Sequence, residues 1–255
     1  MLQKERLDRI EELVNSKKYV TIGELTQALD ISKATVRRDL AILGDRKKLI
    51  ITRGGVMSRA KGTMYELPYF EKQRENIEEK KRIGKMACSF IQEGETIMLD
   101  SGTTVYEMTE YMTDFKGICA ATCDLMVAIG LTKCMSVDTI MIGGGPVRKG
   151  YYNIIGHYPE KIIKQLHFDK AFVSADSIDV VHGGMITNID EVSLKRTIME
   201  SSNEVILLCD HTKFESTAFI SVCSIEKISK IITGRELKPD IYQEFIDAGK
   251  EIILV

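Results

Sequence analysis

The sequence contains the stretch Ile31-Ser32-Lys33-Ala34-Thr35-Val36-Arg37-Arg38-Asp39-Leu40-Ala41-Ile42-Leu43, whose spacing predicts a short helix with an apolar face and a basic face. Ser32 is a good N-cap, because its hydroxyl can accept a hydrogen bond from an amide of the first turn. Apolar residues follow on one side of the helix, at positions 36, 40 and 43. The opposite side carries cationic and small residues, namely Lys33, Ala34, Arg37, Arg38 and Ala41. On its own this pattern favours an ordinary helix with a solvated basic face, so the assignment depends on the neighbouring segments.

The residues before this helix predict two more helices and a tight turn. Apolar residues at amphipathic spacing between Leu2 and Val14 predict a first helix, and a second helix opens at Thr21 or Gly23 and runs through Leu29. Asp30–Ser32 forms the short connection to the basic helix. Two short helices joined by a tight turn, the second of them basic, are typical of a helix-turn-helix.

A β-hairpin is predicted after the basic helix. Leu49–Ile51 is one strand, Gly54-Gly55 is the turn, and Val56-Met57 begins the returning strand. Arg53 precedes the turn, where its side chain can reach a phosphate or the minor groove. Residues 1–57 are therefore predicted to form a winged helix-turn-helix. Such folds also contact proteins, but the concentrated positive charge favours DNA.

The charge of the chain is distributed unevenly. The 255 residues carry a net charge of −2, but residues 1–61 contain 14 basic and 8 acidic residues, a net charge of +6, and the remainder has −8. A basic N-terminal part joined to an acidic remainder indicates that only the first part meets a polyanion.

The run from Val20 to Val56 resembles the DNA-binding domain of the DeoR family of bacterial regulators. The resemblance is carried by Ser32-Lys33-Ala34-Thr35-Val36-Arg37-Arg38-Asp39-Leu40, which matches the family's recognition helix, and by Arg53-Gly54-Gly55-Val56 in the wing. The wing departs from the family by lacking a His before the glycines. The resemblance implies double-stranded operator DNA as a partner, contacted by Ser32, Lys33, Thr35, Arg37, Arg38 and Arg53.

A linker is predicted between two domains. Ser58–Thr63 lacks hydrophobic periodicity, and residues 58–66 are assigned to the linker. Residues 67–255 then form the effector domain. It begins with a long charged helix from Leu67 to Ile91, broken near Pro68.

Apolar runs in the effector domain alternate with helices, and each run ends on small or polar residues. Thr96–Leu99 leads into Asp100-Ser101-Gly102-Thr103-Thr104, followed by a helix from Val105. Later runs end on Thr122-Cys123-Asp124, Gly143-Gly144-Gly145, Ala175-Asp176 and Asp210-His211-Thr212-Lys213. This alternation predicts a mostly parallel α/β sheet covered on both faces, with ligands bound at the carboxyl ends of its strands. Gly102 would let a phosphate approach the backbone, although an N-capped turn has the same composition.

The effector domain resembles the DeoR-family sensor domain, which is similar to ribose-5-phosphate isomerase and binds phosphorylated sugars or related metabolites. The matching segments include Tyr69-Phe70-x-Lys72, Glu79-Lys80-Lys81-Arg82-Ile83, Leu99–Thr104, Phe168-Asp169-Lys170-Ala171-Phe172 and Asp210-x-x-Lys213. The resemblance implies that phosphate is held by Gly102, Thr103 and Thr104, with charge from Lys195 and a further contribution from Lys213 or Arg148. It also implies sugar hydroxyls near Asp100, Asp124 and Asp176. Asp124 is as well explained as a helix cap. Gly144 belongs to a glycine-rich turn that contributes to ligand binding.

No cofactor, metal or membrane segment is expected. Arg148 stands where a dinucleotide fingerprint would have its third glycine, so Gly143-Gly144-Gly145 does not predict a nucleotide site. The six cysteines form no CxxC pair and lie mostly in apolar runs, as reduced core residues do. With no apolar signal region or membrane span, the cytoplasm is the expected location.

An enzyme is the alternative to a regulator. Asp176, Asp179 and Glu191 are candidate carboxylate bases for a sugar-phosphate isomerase with an appended nucleic-acid-binding domain. The essential Glu of the isomerase, however, aligns at or near Lys195, which cannot act as that base while protonated. The predicted function is therefore a non-enzymatic regulator, a homo-oligomeric repressor of a sugar-metabolism operon, whose operator affinity is controlled by a phosphorylated sugar.

Overall fold

The computed structural model describes residues 3–17, 19–45, 49–51, 54–58 and 66–255. The chain divides into two compact units, residues 1–65 and residues 66–255. Within the described part of the chain, every helix is too short or too polar to cross a lipid bilayer.

The first unit is a winged helix-turn-helix, as predicted. Its helices and strands are α1 (Gln3–Lys17), β1 (Tyr19–Thr21), α2 (Ile22–Leu29), α3 (Lys33–Asp45), β2 (Leu49–Ile51) and β3 (Gly55–Ser58). The strands form an antiparallel sheet in the order β1-β3-β2. Val36, Leu40 and Leu43 of α3 are buried against apolar residues of α1 and α2. Their spacing places them on one side of α3, which explains why the opposite side is left for solvent.

Side-chain caps fix the turn between the helices of the first unit. Thr21 and Glu24 form a capping box at the start of α2, with the Glu24 amide donating to Thr21 Oγ1 at 3.1 Å. Asp30 ends α2 in the left-handed conformation, with φ of 50°. The predicted N-cap of α3 is confirmed, because the Thr35 amide donates to Ser32 Oγ at 3.2 Å.

The second unit is an α/β structure. Its strands are β4 (Thr96–Leu99), β5 (Ile118–Thr122), β6 (Val137–Met141), β7 (Phe168–Val173), β8 (Ser177–Asp179), β9 (Gly183–Ile186), β10 (Ser202–Leu208), β11 (Ile220–Cys223), β12 (Lys230–Thr233) and β13 (Glu251–Leu254). Its helices are α4 (Tyr69–Arg74), α5 (Ile77–Cys88), α6 (Thr103–Tyr106), α7 (Leu125–Leu131), α8 (His157–Ile163), α9 (Val192–Glu200) and α10 (Pro239–Asp247). Seven strands form a parallel sheet in the order β13-β12-β10-β7-β4-β5-β6, and β11-β9-β8 form a small antiparallel sheet.

Both faces of the parallel sheet are covered, as the continuous apolar runs predict. Ile97 and Leu99 of β4 belong to one buried cluster and Met98 to the other. The same alternation occurs in β7, where Phe172 points to the opposite face from Ala171. Since neighbouring side chains of a strand point to opposite faces, each face carries its own hydrophobic core.

Two helix predictions in the second unit were wrong in their boundaries. The long helix from Leu67 to Ile91 is two helices, α4 and α5, and the break lies at Glu75 and Asn76, after Pro68 has already initiated α4. Asn76 has φ of 51°, a left-handed conformation that asparagine tolerates and that ends a helix. After Gly102, α6 ends at Tyr106, and a 3-10 helix continues from Glu107 to Tyr111.

A close contact between α5 and the Glu107–Tyr111 segment gives the first testable prediction. A Cβ on Gly84 would lie 2.8 Å from the backbone carbon of Glu107 and 2.9 Å from the Met108 amide nitrogen. Gly84→Ala is therefore expected to lower the free energy of unfolding by about 1–3 kcal/mol, although alanine normally stabilises a helix interior. Chemical denaturation measures the effect, with Lys85→Ala as the exposed control on the same helix. A stabilised Gly84→Ala variant would contradict this packing.

Candidate functional sites

The basic side of α3 is exposed. Lys33, Arg37 and Arg38 are exposed, together with the small residues Ala34 and Ala41. Small residues beside cationic ones allow a helix to lie deep in the major groove, where arginine can bind a guanine edge. Ser32 is exposed at the start of the helix, and its hydroxyl lies 2.9 Å from that of Thr35. Arg53, the remaining predicted DNA contact, lies outside the described residues.

Asp39 does not neutralise the basic side of α3, because it points inward. Its side chain is fully buried, and its carboxylate accepts a hydrogen bond from Arg6 Nη2 of α1 at 2.9 Å and another from Arg6 Nε. The hydrogen bonds to Asp39 hold the pKa of Arg6 above its ordinary value. The sequence analysis assigned no role to Asp39, which joins α1 to α3.

The candidate ligand site of the second unit lies where the strand order reverses. From β4 the chain proceeds to β5 and β6 on one side, and β7, β10, β12 and β13 lie on the other. In open α/β sheets, ligands bind outside the carboxyl ends of the strands at this reversal. Gly102 follows β4 with φ of 142°, and a Cβ on it would lie 2.8 Å from Ser174 Oγ, after β7. Only glycine fits this close approach between the two strand ends.

Two adjoining cavities open at this point, and they share Lys72, Gly102, Thr103, Ser174, Ala175 and Asp176. The cavity that we call the arginine cavity holds about 420 Å³ of empty space, part of it open to solvent. Its other lining residues are Glu66, Tyr69, Ser101, Arg148, Tyr151, Asn153, Ile186, Glu191 and Lys195. The lysine cavity holds about 340 Å³ and is completed by Lys80, Thr104, Leu208, Cys209 and Lys213.

Each cation of the arginine cavity is paired with a carboxylate. Lys195, buried in α9, contacts Asp100 and donates to the Ser174 carbonyl at 3.1 Å. Asp100 also accepts a hydrogen bond from the Ser174 amide at 3.1 Å. Asp100 therefore links β4, β7 and α9, and its carboxylate is already engaged by protein groups.

Lys72 and Arg148 each contact two carboxylates. Lys72 Nζ lies 2.9 Å from Glu66 and 2.8 Å from Asp176. Arg148 lies 2.7 Å from Glu66, forms a second ion pair with Glu191, and has its guanidinium 4.1 Å from the centre of the Tyr151 ring. Burial alone would lower the pKa of Lys72, but the carboxylates of Asp176 and Glu66 outweigh it and hold that pKa above its ordinary value. These side chains are consequently fixed in a network of opposite charges.

The lysine cavity is different, because two of its three lysines, Lys80 and Lys213, have no ion pair with a carboxylate within the described residues. Lys80 donates to the backbone carbonyls of Lys72 and Glu75, the second at 2.7 Å, and so closes the end of α4. Burial lowers the pKa of Lys80 to about 8. Asp210 is buried, yet Lys213 and Lys80 hold the pKa of its carboxyl below the ordinary value. The cavity is thus cationic and can attract an anion.

Buried polar atoms without a partner gather beside the arginine cavity. Among the described residues, Tyr69 Oη, Asn153 Oδ1 and Asp124 Oδ2 are buried and have no hydrogen-bond partner. Tyr69 and Asn153 line the cavity. Because a buried polar atom is costly when it has no partner, these atoms mark where a polar ligand or water would bind.

Asp124 lies behind the cavity wall and caps α7. Its Oδ1 accepts hydrogen bonds from the Met126 amide at 2.7 Å and the Val127 amide at 3.0 Å. Burial raises the pKa of Asp124 to about 6, despite the opposing effect of these amides. The capping explanation therefore applies in this structure.

The structure brings most of the predicted effector residues together. Asp100 is buried behind the cavities, and Gly144 lies outside both of them, with φ of 94° beside Tyr158. The cavity residues to which the sequence analysis gave no role include five used in the proposals below, namely Glu66, Tyr69, Lys72, Lys80 and Asn153. The matching segments quoted for the family contain Tyr69, Lys72 and Lys80, so that signal was present for three of the five.

Glu79, Asp210 and His211 form a group whose ligand atoms lie within 4.8 Å of one another, as metal ligands do. Both Glu79 oxygens are already engaged, however. One accepts from the amides of His211 at 2.7 Å and Gly234 at 3.1 Å, and the other lies 2.8 Å from His211 Nδ1. These bonds explain the group as a connection between α5 and the ends of β10 and β12.

A basic helix-turn-helix on one unit and a polar, cationic cavity pair on the other define a DNA-binding transcription regulator with a sensor unit. Comparison with known families agrees. A family model described as DeoR-like helix-turn-helix domain matches residues 6–61, and one described as DeoR C terminal sensor domain matches residues 75–235. The chain belongs to the DeoR family of transcriptional regulators.

Curated relatives match over nearly their whole length. The regulator GlpR of Haloferax volcanii is 30% identical, over 99% of this chain and 98% of its own. The lactose phosphotransferase system repressor of Staphylococcus aureus is 30% identical, over 92% of this chain and 94% of the repressor. The uncharacterized regulator YgbI of Escherichia coli K12 is 32% identical, over 91% of this chain and 90% of YgbI. Among solved structures, a ribose 5-phosphate isomerase from Methanocaldococcus jannaschii matches 55% of each chain, with 13% identity and a TM-score of 0.40.

The raised pKa of Asp124 gives the second testable prediction. The folded state binds the Asp124 proton more tightly than the unfolded state, in which the pKa of an aspartate is near 4. The stabilisation that results is fully present below about pH 4 and is lost as the pH rises through about 6. Asp124→Asn keeps the shape of the cap but does not titrate. Between pH 4 and pH 7, the free energy of unfolding of the wild type is expected to fall by roughly 2 kcal/mol relative to that of the variant. Chemical denaturation at several pH values measures this difference, and an equal dependence of the free energy of unfolding on pH in both proteins would refute the prediction.

Proposed function

We propose that the protein represses a sugar-metabolism operon and that a phosphorylated sugar, bound in the paired cavities, lowers its affinity for operator DNA. One observation carries the proposal. The Gly102-Thr103 segment lines both cavities, and within the described part of the chain one cavity holds two lysines that form no ion pair, while buried polar atoms with no hydrogen-bond partner lie beside the other. A molecule with an anionic end and a hydroxylated end satisfies both sides at once. The lactose repressor of Staphylococcus aureus supports the choice of a sugar operon.

The phosphate is proposed to bind in the lysine cavity. Gly102, Thr103 and Thr104 supply backbone and hydroxyl groups there, and Lys80 and Lys213 supply the charge. The sugar hydroxyls then lie in the arginine cavity, with Tyr69, Asn153, Asp176, Arg148 and Lys195 around them. In this arrangement Lys195 orders the site through Asp100, while the charge for the phosphate comes mainly from Lys80 and Lys213. Asp124 and Gly144 support the surrounding loops.

The operator is proposed to bind along α3, through Ser32, Lys33, Thr35, Arg37 and Arg38, with Arg53 of the wing as a further contact. A homo-oligomer, a dimer or tetramer, would present two such helices at a half-site spacing of ~34 Å or a multiple. The edge strand β6 supports self-association, because its residues 138–141 are exposed and include Ile140 and Met141. Since operator DNA lies in the cytoplasm, that is the proposed location.

A sugar-phosphate isomerase is the less favoured function. The candidate base Asp176 forms an ion pair with Lys72 and accepts from the Thr187 amide at 2.9 Å. Although burial opposes it, Lys72 holds the pKa of Asp176 far below its ordinary value, so this carboxylate is a poor proton acceptor. Glu191 is likewise engaged, by Arg148 and Asn153. Groups fixed in this way suit binding better than proton transfer.

The DNA-binding proposal is tested with a duplex that contains the protein's own promoter. Arg37→Ala and Arg38→Ala are each expected to weaken binding by about 1–3 kcal/mol where the arginine reads a base. Lys17→Ala, an exposed charge of α1, is the matched control and should change affinity little. Fluorescence anisotropy at constant salt measures the affinities, and its stoichiometry reports the oligomer. Equal losses in all three variants would show that total charge, and not α3, determines binding.

The phosphate proposal is tested through the proton of Lys80. A bound phosphate dianion favours the charged form of Lys80, so inorganic phosphate and glucose 6-phosphate are expected to bind with net proton uptake near pH 8.5. Calorimetry in two buffers of different ionisation enthalpy measures this uptake. Lys80→Met should abolish the uptake and weaken binding about tenfold, whereas Lys81→Met, on the exposed side of α5, should retain both. Wild-type binding without proton uptake would place the phosphate elsewhere.

A further inference from the structure

We propose that the Glu66 carboxylate is an internal ligand of Lys72 and Arg148 in the arginine cavity, and that the phosphate of the effector, bound in the adjoining lysine cavity, competes with it for Lys72 and displaces it. The inference rests on the proposed function, because it concerns the regulation of the same two cavities. It assigns to Glu66 the role of an internal ligand.

The contacts of Glu66 are those of a bound anion. Its two carboxylate oxygens lie on two different cations, Oε1 at 2.9 Å from Lys72 Nζ and Oε2 at 2.7 Å from Arg148 Nη2. The Tyr151 hydroxyl donates to the Glu66 backbone carbonyl at 3.0 Å. Charge-assisted bonds from two sides are also how proteins hold the carboxylate or phosphate of a ligand.

Glu66 can leave without creating an unpaired buried cation. Lys72 retains Asp176 at 2.8 Å, and Arg148 retains Glu191. Isolated buried charges are strongly unfavourable, so this second partner on each cation makes the exchange feasible.

The carboxylates of Asp176 and Glu191 also accept hydrogen bonds from groups other than Lys72 and Arg148. Asp176 accepts a hydrogen bond from the Thr187 amide at 2.9 Å, and Glu191 accepts one from Asn153 Nδ2 at 2.9 Å. The Glu66 carboxylate is held by Lys72 and Arg148 alone among the described contacts. It is therefore the first of the three acids to yield when another anion arrives.

Lys72 connects this subsite to the phosphate. Its side chain lines both cavities, and two of its three ammonium protons are used by Glu66 and Asp176. A phosphate dianion in the lysine cavity draws on the same ammonium and repels the nearby carboxylate. Effector binding and the attachment of Glu66 therefore oppose each other.

The position of Glu66 in the chain gives this competition a consequence. Glu66 is the first residue of the second unit and directly follows the first unit in the chain. Displacement of its carboxylate releases the residue at which the second unit begins. Two ligands that compete through a shared group are coupled reciprocally, so a weakened attachment at Glu66 should also strengthen effector binding.

The test compares Glu66→Gln with the wild type. Calorimetry with inorganic phosphate and with glucose 6-phosphate is expected to show binding at least fivefold tighter in the variant, because one competing anion is removed. Its affinity for the promoter duplex without effector is expected to fall toward that of the wild type with effector. Glu71→Gln removes the same charge from a residue of α4 that pairs with Arg74 at 3.6 Å, and both affinities should remain unchanged.

A second variant keeps the charges intact. Tyr151→Phe removes only the hydroxyl that holds the Glu66 backbone, and it should tighten phosphate binding in the same direction by a smaller factor. Phosphate binding that is equal or weaker in Glu66→Gln would overturn the inference and indicate that Glu66 contacts the ligand directly. If Glu66→Gln binds phosphate more tightly but its affinity for the promoter duplex equals that of the wild type, Glu66 does not couple effector binding to DNA binding. Failure of the wild type to bind either probe would instead refute the proposed function.

Discussion

The buried ion pair between Lys195 and Asp100 is the interaction on which the ligand site depends. It joins helix α9 to the end of β4, and both residues also bond to Ser174 at the end of β7. Those two strands are neighbours at the point where the strand order reverses, and Gly102 permits their ends to meet. A buried charge without its partner is costly, so the pair constrains these elements to one arrangement. The two cavities exist because this arrangement leaves space beside it.

The charges around the cavities are divided into two groups with different roles. Lys72, Arg148 and Lys195 are neutralised by carboxylates, and such pairs orient their members more than they attract further anions. Lys80 and Lys213 form no such ion pair among the described contacts, so under the proposed function they would provide most of the attraction for a phosphate. The lowered pKa of Lys80 shows that its charged form lacks sufficient compensation from the protein. A bound anion would provide that compensation.

The sequence was sufficient for features set by local patterns. The apolar spacing of α3 defined its buried and exposed sides, and the apolar runs defined a sheet covered on both faces. It was insufficient where contacts join distant segments, such as Lys72 and Asp176, which are 104 residues apart. Gly144 follows the pattern of a ligand loop, but the path of the chain places it beside Tyr158, outside the cavities. The break at Asn76 depends on a left-handed residue and on Lys80, neither of which hydrophobic periodicity reports.

A network in which each cation already has partners also suits a protein that must switch. In the proposed mechanism, a phosphate that binds in the lysine cavity replaces one partner of Lys72 by another, so the free-energy difference between the two states would be small compared with the individual interactions. A ligand shifts such an equilibrium only by its differential affinity for the two states. With nearly balanced states, the modest binding energy of one phosphorylated sugar would suffice for the proposed change in operator occupancy. An enzyme would instead need a carboxylate free to accept a proton, and in this network Asp176 and Glu191 are committed to Lys72 and Arg148.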